Sequence, residues 1–204
     1  SKYCGLWQCP KIAWLKKYKP EKQTLDGGTL SRMEAGNEVG NLAKGLFGDY
    51  VEVTAYNGEK PDLSEMIACT QVEMDKGTPI LCEASFSYNG LYCAVDILKK
   101  EDAGWAIYEV KSSAKHKKSD GTYDDDKEVY QRYVLEHCGV NVTGTYLVCL
   151  NGDYIFDGTL DLSQLFFISD VAEQVKNEIR NIECNVAVAE KILQSAEEPD
   201  IDLS

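Results

Sequence analysis

Apolar residues alternate with polar ones over positions 80–88 and again over 91–98, with Asn89-Gly90 between the two runs. Period-two alternation on either side of Asn-Gly predicts a tight β-hairpin, because both turn positions need the positive φ that asparagine and glycine tolerate. A third run, 105–111, follows a polar loop over 99–104, so the centre of the chain predicts a three-stranded antiparallel meander. Residues 50–54 and 145–150 read as further strands; Asn151-Gly152 reads as a second hairpin turn, and 154–156 as the short strand after it.

Helical periodicity fills most of the rest. Residues 9–19 form a short basic helix with Ile12, Trp14 and Leu15 on its apolar side, ended by Pro20. Asp26-Gly27-Gly28 reads as a loop, and Ser31 with Glu34 makes a capping box that starts a helix over 32–46. Pro61-Asp62-Leu63-Ser64 leads into a helix ending near Gly77, and residues 126–138 form another that closes at Gly139. Val171, Val175, Ile179, Ile182, Val186, Ala189 and Leu193 recur at helical spacing, which predicts one long amphipathic helix over 170–194.

A chain of 204 residues with 44% hydrophobic content is long and apolar enough for a folded core. No stretch nears the roughly 18 apolar residues of a membrane span, and the first thirty residues lack the order of a signal peptide. A soluble, cytoplasmic protein with no membrane partner is therefore expected. Of the eight cysteines, Cys69, Cys82, Cys93, Cys138 and Cys149 fall in apolar runs and read as small core residues in a reducing compartment. Cys4 and Cys9 stand apart near the N-terminus.

A net charge of -13 argues against binding nucleic acid through the overall field. The charge is uneven, however. Residues 1–32 carry seven cations, including Lys11, Lys16 and Lys17, against two acids, and Lys111, Lys115, Lys117 and Lys118 form a second basic run. A basic path on an acidic body is one reading; solvated surface lysines are the other.

Register sharpens the chemistry. Counted outward from the turn, Tyr88 pairs with Leu91 and Glu83 stands opposite Asp96. If Leu98 pairs with Trp105, Asp96 lies opposite Ile107 and diagonal to Glu109, with Lys111 further along the same face. The pattern D-x12-E-x-K thus gathers Glu83, Asp96, Glu109 and Lys111. The bland alternative is a solvent face on which Lys111 neutralises Glu109. Carboxylates facing each other across strands cost up to about 1 kcal/mol, so a cation should offset them. Mg2+ or Mn2+ takes oxygen ligands, and Asp96 with Glu109 suits either. The metal would polarise a phosphoryl oxygen and acidify a bound water, with Lys111 orienting that water. The chain contains no G-x-S-x-G elbow and no G-x-x-x-x-G-K-[ST] loop, so acyl transfer and ATP hydrolysis find no support.

Asp96, Glu109-Val110-Lys111, the helix bearing Gly36-Asn37-Glu38-Val39-Gly40 and the helix bearing Gln131 and Tyr133 resemble the PD-(D/E)XK nuclease superfamily. The opening from Tyr3 to Leu15 with Cys9-Pro10, and Ile80-Leu81-Cys82-Glu83-Ala84, are similar to its RecB-like branch and to CRISPR-associated exonucleases. The resemblance spans residues 1–195 as a single domain and leaves 196–204 as an acidic, frayed tail. It implies an α/β (α+β) fold with a restriction-endonuclease-like core: a mixed central sheet with an antiparallel meander, flanked by helices. It also implies Asp96, Glu109 and the Val110 carbonyl as metal ligands, Lys111 as catalytic, Glu38 as the helix-borne acid and Gln131 as a contact to nucleic acid. Two departures stand out. Gly40 occupies a place where many RecB-like nucleases have histidine, which passes the ligand role to Glu38 or Glu83. Leu135, not tyrosine, stands four residues after Gln131.

Related exonucleases hold an iron-sulfur cluster through one N-terminal and three C-terminal cysteines. Cys9 matches the first, but only Cys184 lies in the last fifty residues, so a cluster requires cysteines beyond Ser204. The chain accordingly reads as a domain of a longer protein. Three functions remain in view: a metal-dependent deoxyribonuclease acting on single strands or free ends, a non-catalytic nucleic-acid-binding module that relies on Lys11, Lys16 and Lys17, and an acidic interaction domain.

Overall fold

The computed structural model describes residues 9–22, 24, 26–113, 126–179 and 182–200. At its centre is a six-stranded sheet made of β1 (Val51–Glu52), β4 (Ile80–Tyr88), β5 (Leu91–Glu101), β6 (Gly104–Lys111), β7 (Val142–Leu150) and β8 (Phe166–Asp170), in that spatial order. A separate ribbon pairs β2 (Tyr56–Asn57) with β3 (Lys60–Pro61). The helices are α1 (Pro10–Tyr18), α2 (Gly27–Lys44), α3 (Leu63–Lys76), α4 (Asp126–His137), α5 (Leu162–Leu165), α6 (Ala172–Glu178) and α7 (Ile182–Gln194). Strands β4, β5 and β6 form the antiparallel meander, while β1 on β4 and β7 on β6 are parallel pairs. A parallel neighbour cannot follow through a tight turn, and α4 lies in the crossover from β6 to β7. The expected mixed sheet between helices is the architecture found.

The sheet separates two apolar layers. On one side Leu81, Leu98, Ile107 and Leu147 pack with Val134 and Leu135 of α4, Val175 of α6 and Ile182 of α7. On the other, Ile80, Cys82, Ile97, Ala106, Tyr108 and Val148 meet Ala43 of α2 and Phe166. Strand β7 feeds both layers and reads as a near-continuous apolar run, as a strand covered on two faces must. At the ends of the chain, Trp14 donates to the Ser195 carbonyl at 2.9 Å, and Glu198 lies between Lys11 (2.9 Å) and Lys19 (2.7 Å). Among the described residues no helix is long and apolar enough to cross a membrane.

Several expectations need correction. Helix α2 begins at Gly27, not near Arg32, because the Asp26 carboxylate caps it by accepting from the Thr29 amide at 2.6 Å. Ser31 and Glu34 lie exposed inside that helix and form no cap. Strand β5 runs on to Glu101, and a turn at Asp102 and Ala103 replaces the loop over 99–104; Leu98 therefore pairs with Ile107, not Trp105. Residues 154–156 form no strand, and the partner of β7 is instead β8. Asp170 ends β8, and the helix expected over 170–194 is found as two, α6 and α7. Cys82, Cys93 and Cys149 are buried as expected, whereas Cys69 is half-buried and Cys138 is exposed. Cys4 and the lysines at 115, 117 and 118 lie outside the described residues.

Candidate active site

The site begins where regular pairing ends. Strands β5 and β6 pair from Glu101 opposite Gly104 up to Ile97 opposite Tyr108. Continued by one residue, that register sets Asp96 level with Glu109, closer than the diagonal expected from sequence. There the two strands part: β5 stays with β4 to the Asn89-Gly90 turn, and β6 stays with β7 through Lys111. Backbone groups freed by the fork need other partners. The Asp96 carboxylate accepts from the Val110 amide at 2.8 Å, Gln131 donates to the Ala94 carbonyl at 3.0 Å, and the Tyr130 hydroxyl donates to the Tyr92 carbonyl at 3.0 Å. Helix α4 thus caps the fork.

Glu83 makes the matching break in β4. Its neighbours keep the predicted register, Cys82 opposite Ile97 and Ala84 opposite Val95, but Glu83 itself has φ of 59°. This left-handed backbone reverses the alternation. Ile80, Cys82 and Ile97 belong to one apolar layer, while Ala84, Phe86, Cys93 and Val95 belong to the other. Both strands change face at the acid pair, and Glu83 and Asp96 come to line a cleft.

That cleft encloses about 600 Å³. Its floor carries Glu83, Asp96, Val110 and Lys127; Gly36, Asn37, Gly40, Asn41 and Lys44 of α2 form one wall, and Tyr56 and Pro61 of the small ribbon contribute to another. The α2 residues recur at helical spacing and so present one face. Glu38 falls off that face: it is exposed and outside the cleft lining.

Among the described residues six ion pairs knit the acids to lysines. Lys127 bridges the two central carboxylates, donating to Glu109 Oε1 with its Nζ 3.4 Å from Asp96 Oδ1. Lys111 Nζ lies 2.9 Å from Glu128 Oε1 and 3.7 Å from Glu109 Oε1. Lys44 Nζ lies 3.0 Å from Glu52 and 3.7 Å from Glu83. The remaining Glu109 oxygen, Oε2, accepts from Gln131 at 3.0 Å.

Glu109 is only 2% exposed, and burial together with the charge of Asp96 pushes its carboxyl up to about 8. Burial and Asp96 raise Glu83 in the same direction. Burial opposes the charge on Lys127, but Glu109 and Asp96 outweigh it and hold the ammonium protonated. Glu128 is fully buried, and burial raises it against the pull of Lys111.

Glu83, Asp96, Glu109 and Lys111 do come together, through the observed β5–β6 register rather than the expected one, and Val110 joins them through its backbone; Glu109 and Lys111 lie behind the cleft and do not line it. Gln131 is buried against Glu109 rather than open to a ligand. Lys11, Lys16 and Lys17 do not line the cleft; Lys11 pairs with Glu198, and Lys17 donates to the Leu193 carbonyl of α7. Cys9 is half-buried at the N-cap of α1 and Cys184 is exposed, both as free thiols. The sequence reading missed Lys44, Lys127 and Glu128. A helical signal was there for one of them, since Lys127 and Gln131 are four residues apart and share a face.

Two observations bear on whether a divalent cation suits this donor set. An ammonium already lies between Asp96 and Glu109, so their spacing admits a positive centre. Among the described residues the ion-pair network joins five acidic side chains (Glu52, Glu83, Asp96, Glu109, Glu128) to three lysines, so acidic groups outnumber basic ones. Among the described residues no three His, Cys, Asp or Glu side chains form a ready ligand group. A bound ion would therefore rely on Asp96, Glu109, the Val110 carbonyl and water, a ligand set that Mg2+ accepts. No protein-family model and no curated protein matches the chain.

Proposed function

We propose that the chain is a metal-dependent nuclease of the PD-(D/E)XK type that hydrolyses phosphodiester bonds of DNA as a single strand or at a free end. The fork that brings Asp96 and Glu109 level, with Lys111 two residues on, carries this reading. Mg2+ or Mn2+, when bound, supplies a Lewis acid for the phosphoryl oxygen and a water of lowered pKa. The chain's own residues do the rest. Val110 and Gln131 fix the two carboxylates, buried Glu128 holds the Lys111 ammonium beside Glu109, and Lys111 in that place would stabilise charge developing on the phosphate. Asn37, Asn41 and Lys44 offer donors to the phosphate and sugar along the opposite wall. A cleft of about 600 Å³ is of small-ligand size, which favours one strand over an intact duplex.

A second reading, a nucleic-acid-binding module without catalysis, is favoured by Lys127 sitting where the cation belongs. One assay separates them: cleavage of end-labelled single-stranded DNA in Mn2+ by the wild type, Asp96→Asn and Lys111→Ala. The nuclease reading predicts loss of cleavage in Asp96→Asn and a rate about 10²–10³-fold lower in Lys111→Ala. Cleavage indifferent to both changes overturns it, and DNA binding that persists in EDTA without any cleavage favours the module.

A further inference from the structure

We infer that the Lys127 ammonium and the divalent ion compete for one place between Asp96 and Glu109, so that the ion enters only when Lys127 swings out into the cleft. This rests on the metal site proposed above and adds a residue that sets its affinity.

The division of oxygens carries the inference. Asp96 Oδ2 is committed to the Val110 amide and Glu109 Oε2 to Gln131. The two oxygens left facing each other, Asp96 Oδ1 and Glu109 Oε1, are the pair that Lys127 bridges. A metal taking one oxygen from each acid has to use that pair, and it cannot stand between them while Lys127 does; Lys111, 3.7 Å from Glu109 Oε1 alone, does not bridge the two acids. Departure of the lysine leaves the acids in place, because each keeps the hydrogen bond on its other oxygen. An exit exists as well. Lys127 stands in the first turn of α4, its side chain is 36% exposed, and it lines the cleft. A flexible four-carbon stem lets the ammonium leave without moving the helix.

A site open for only a fraction of the time binds more weakly by that fraction. Lysine occupancy of nine parts in ten therefore weakens metal binding about tenfold, and removing the ammonium restores it. Mn2+ titrations followed by the EPR signal of the free ion, without DNA, test this on wild type, Lys127→Met, Lys127→Arg and Asp96→Asn. Lys127→Met should bind Mn2+ about tenfold tighter than wild type, and Lys127→Arg no tighter. Affinity in Lys127→Met equal to or below wild type overturns the inference, while binding that depends on Asp96 leaves the metal site standing. If neither wild type nor Lys127→Met binds Mn2+, both readings fall.

Melting temperatures give an independent readout. Lys127→Met should melt below wild type without metal and gain more from Mn2+. A purely structural lysine gives the lower melting temperature without the larger gain, and that result also overturns the inference. Should Lys127→Met be unfolded without metal, refolding on addition of Mn2+ supports the competition, and failure to refold contradicts it.

Discussion

Glu83 holds a backbone conformation, φ of 59°, that a residue with a Cβ adopts at a cost of about 1–2 kcal/mol. Its carboxylate is also desolvated and set against Asp96, which outweighs the attraction of Lys44 at 3.7 Å and of Lys127. The residue is therefore badly placed for stability and well placed to line the cleft. Replacing it tests the trade directly. Glu83→Gly should raise the free energy of unfolding by about 1 kcal/mol in urea titrations, since glycine carries no penalty at this φ. Unchanged or lower stability would contradict the assignment of strain. The acids of the site were legible from sequence because a hairpin turn fixes register, and register fixes which carboxylates meet. Lys127 was not, because its partners lie on β5 and β6, more than fifteen positions away, and no local pattern links a helix lysine to them.

At the scale of elements, the fork between β5 and β6 is made affordable by side chains that take over backbone hydrogen bonds. Helix α4 does this from one side through Tyr130 and Gln131. Helix α3 does it for β4: the Thr70 hydroxyl accepts from the Ser85 amide at 2.9 Å and donates to the Met66 carbonyl at 2.8 Å, with both residues buried. Thr70→Val keeps the shape and strands a buried amide, so it should cost about 1–3 kcal/mol in chemical denaturation. A neutral effect would mean that Ser85 has another partner. The meander and its turn were readable because alternation and Asn-Gly are local signals. The reversal of faces at Glu83 was not, since strict alternation carries through that position in sequence. Nor was β8 assigned, because Phe166-Phe167-Ile168 is too short an apolar run to declare a strand without knowing its partner β7.

For the whole molecule, the net charge is -13, so DNA, the substrate proposed above, needs cations supplied at the site. The N-terminal basic helix is not arranged to supply them: Lys11 and Lys19 hold Glu198, and Lys17 faces α7. Their work is to join the two ends of the chain, an outcome invisible to a count of charges along the sequence. Among the described residues Lys44 and Lys127 line the cleft, and on the proposed reading they and a bound ion would meet the charge of the substrate. The most direct test of this account is anomalous diffraction from crystals soaked in Mn2+. The account predicts a peak between Asp96 Oδ1 and Glu109 Oε1, with the Val110 carbonyl turned toward it and Lys127 displaced into the cleft. Crystals that take up no ion there, with Lys127 still bridging the two carboxylates, would contradict it.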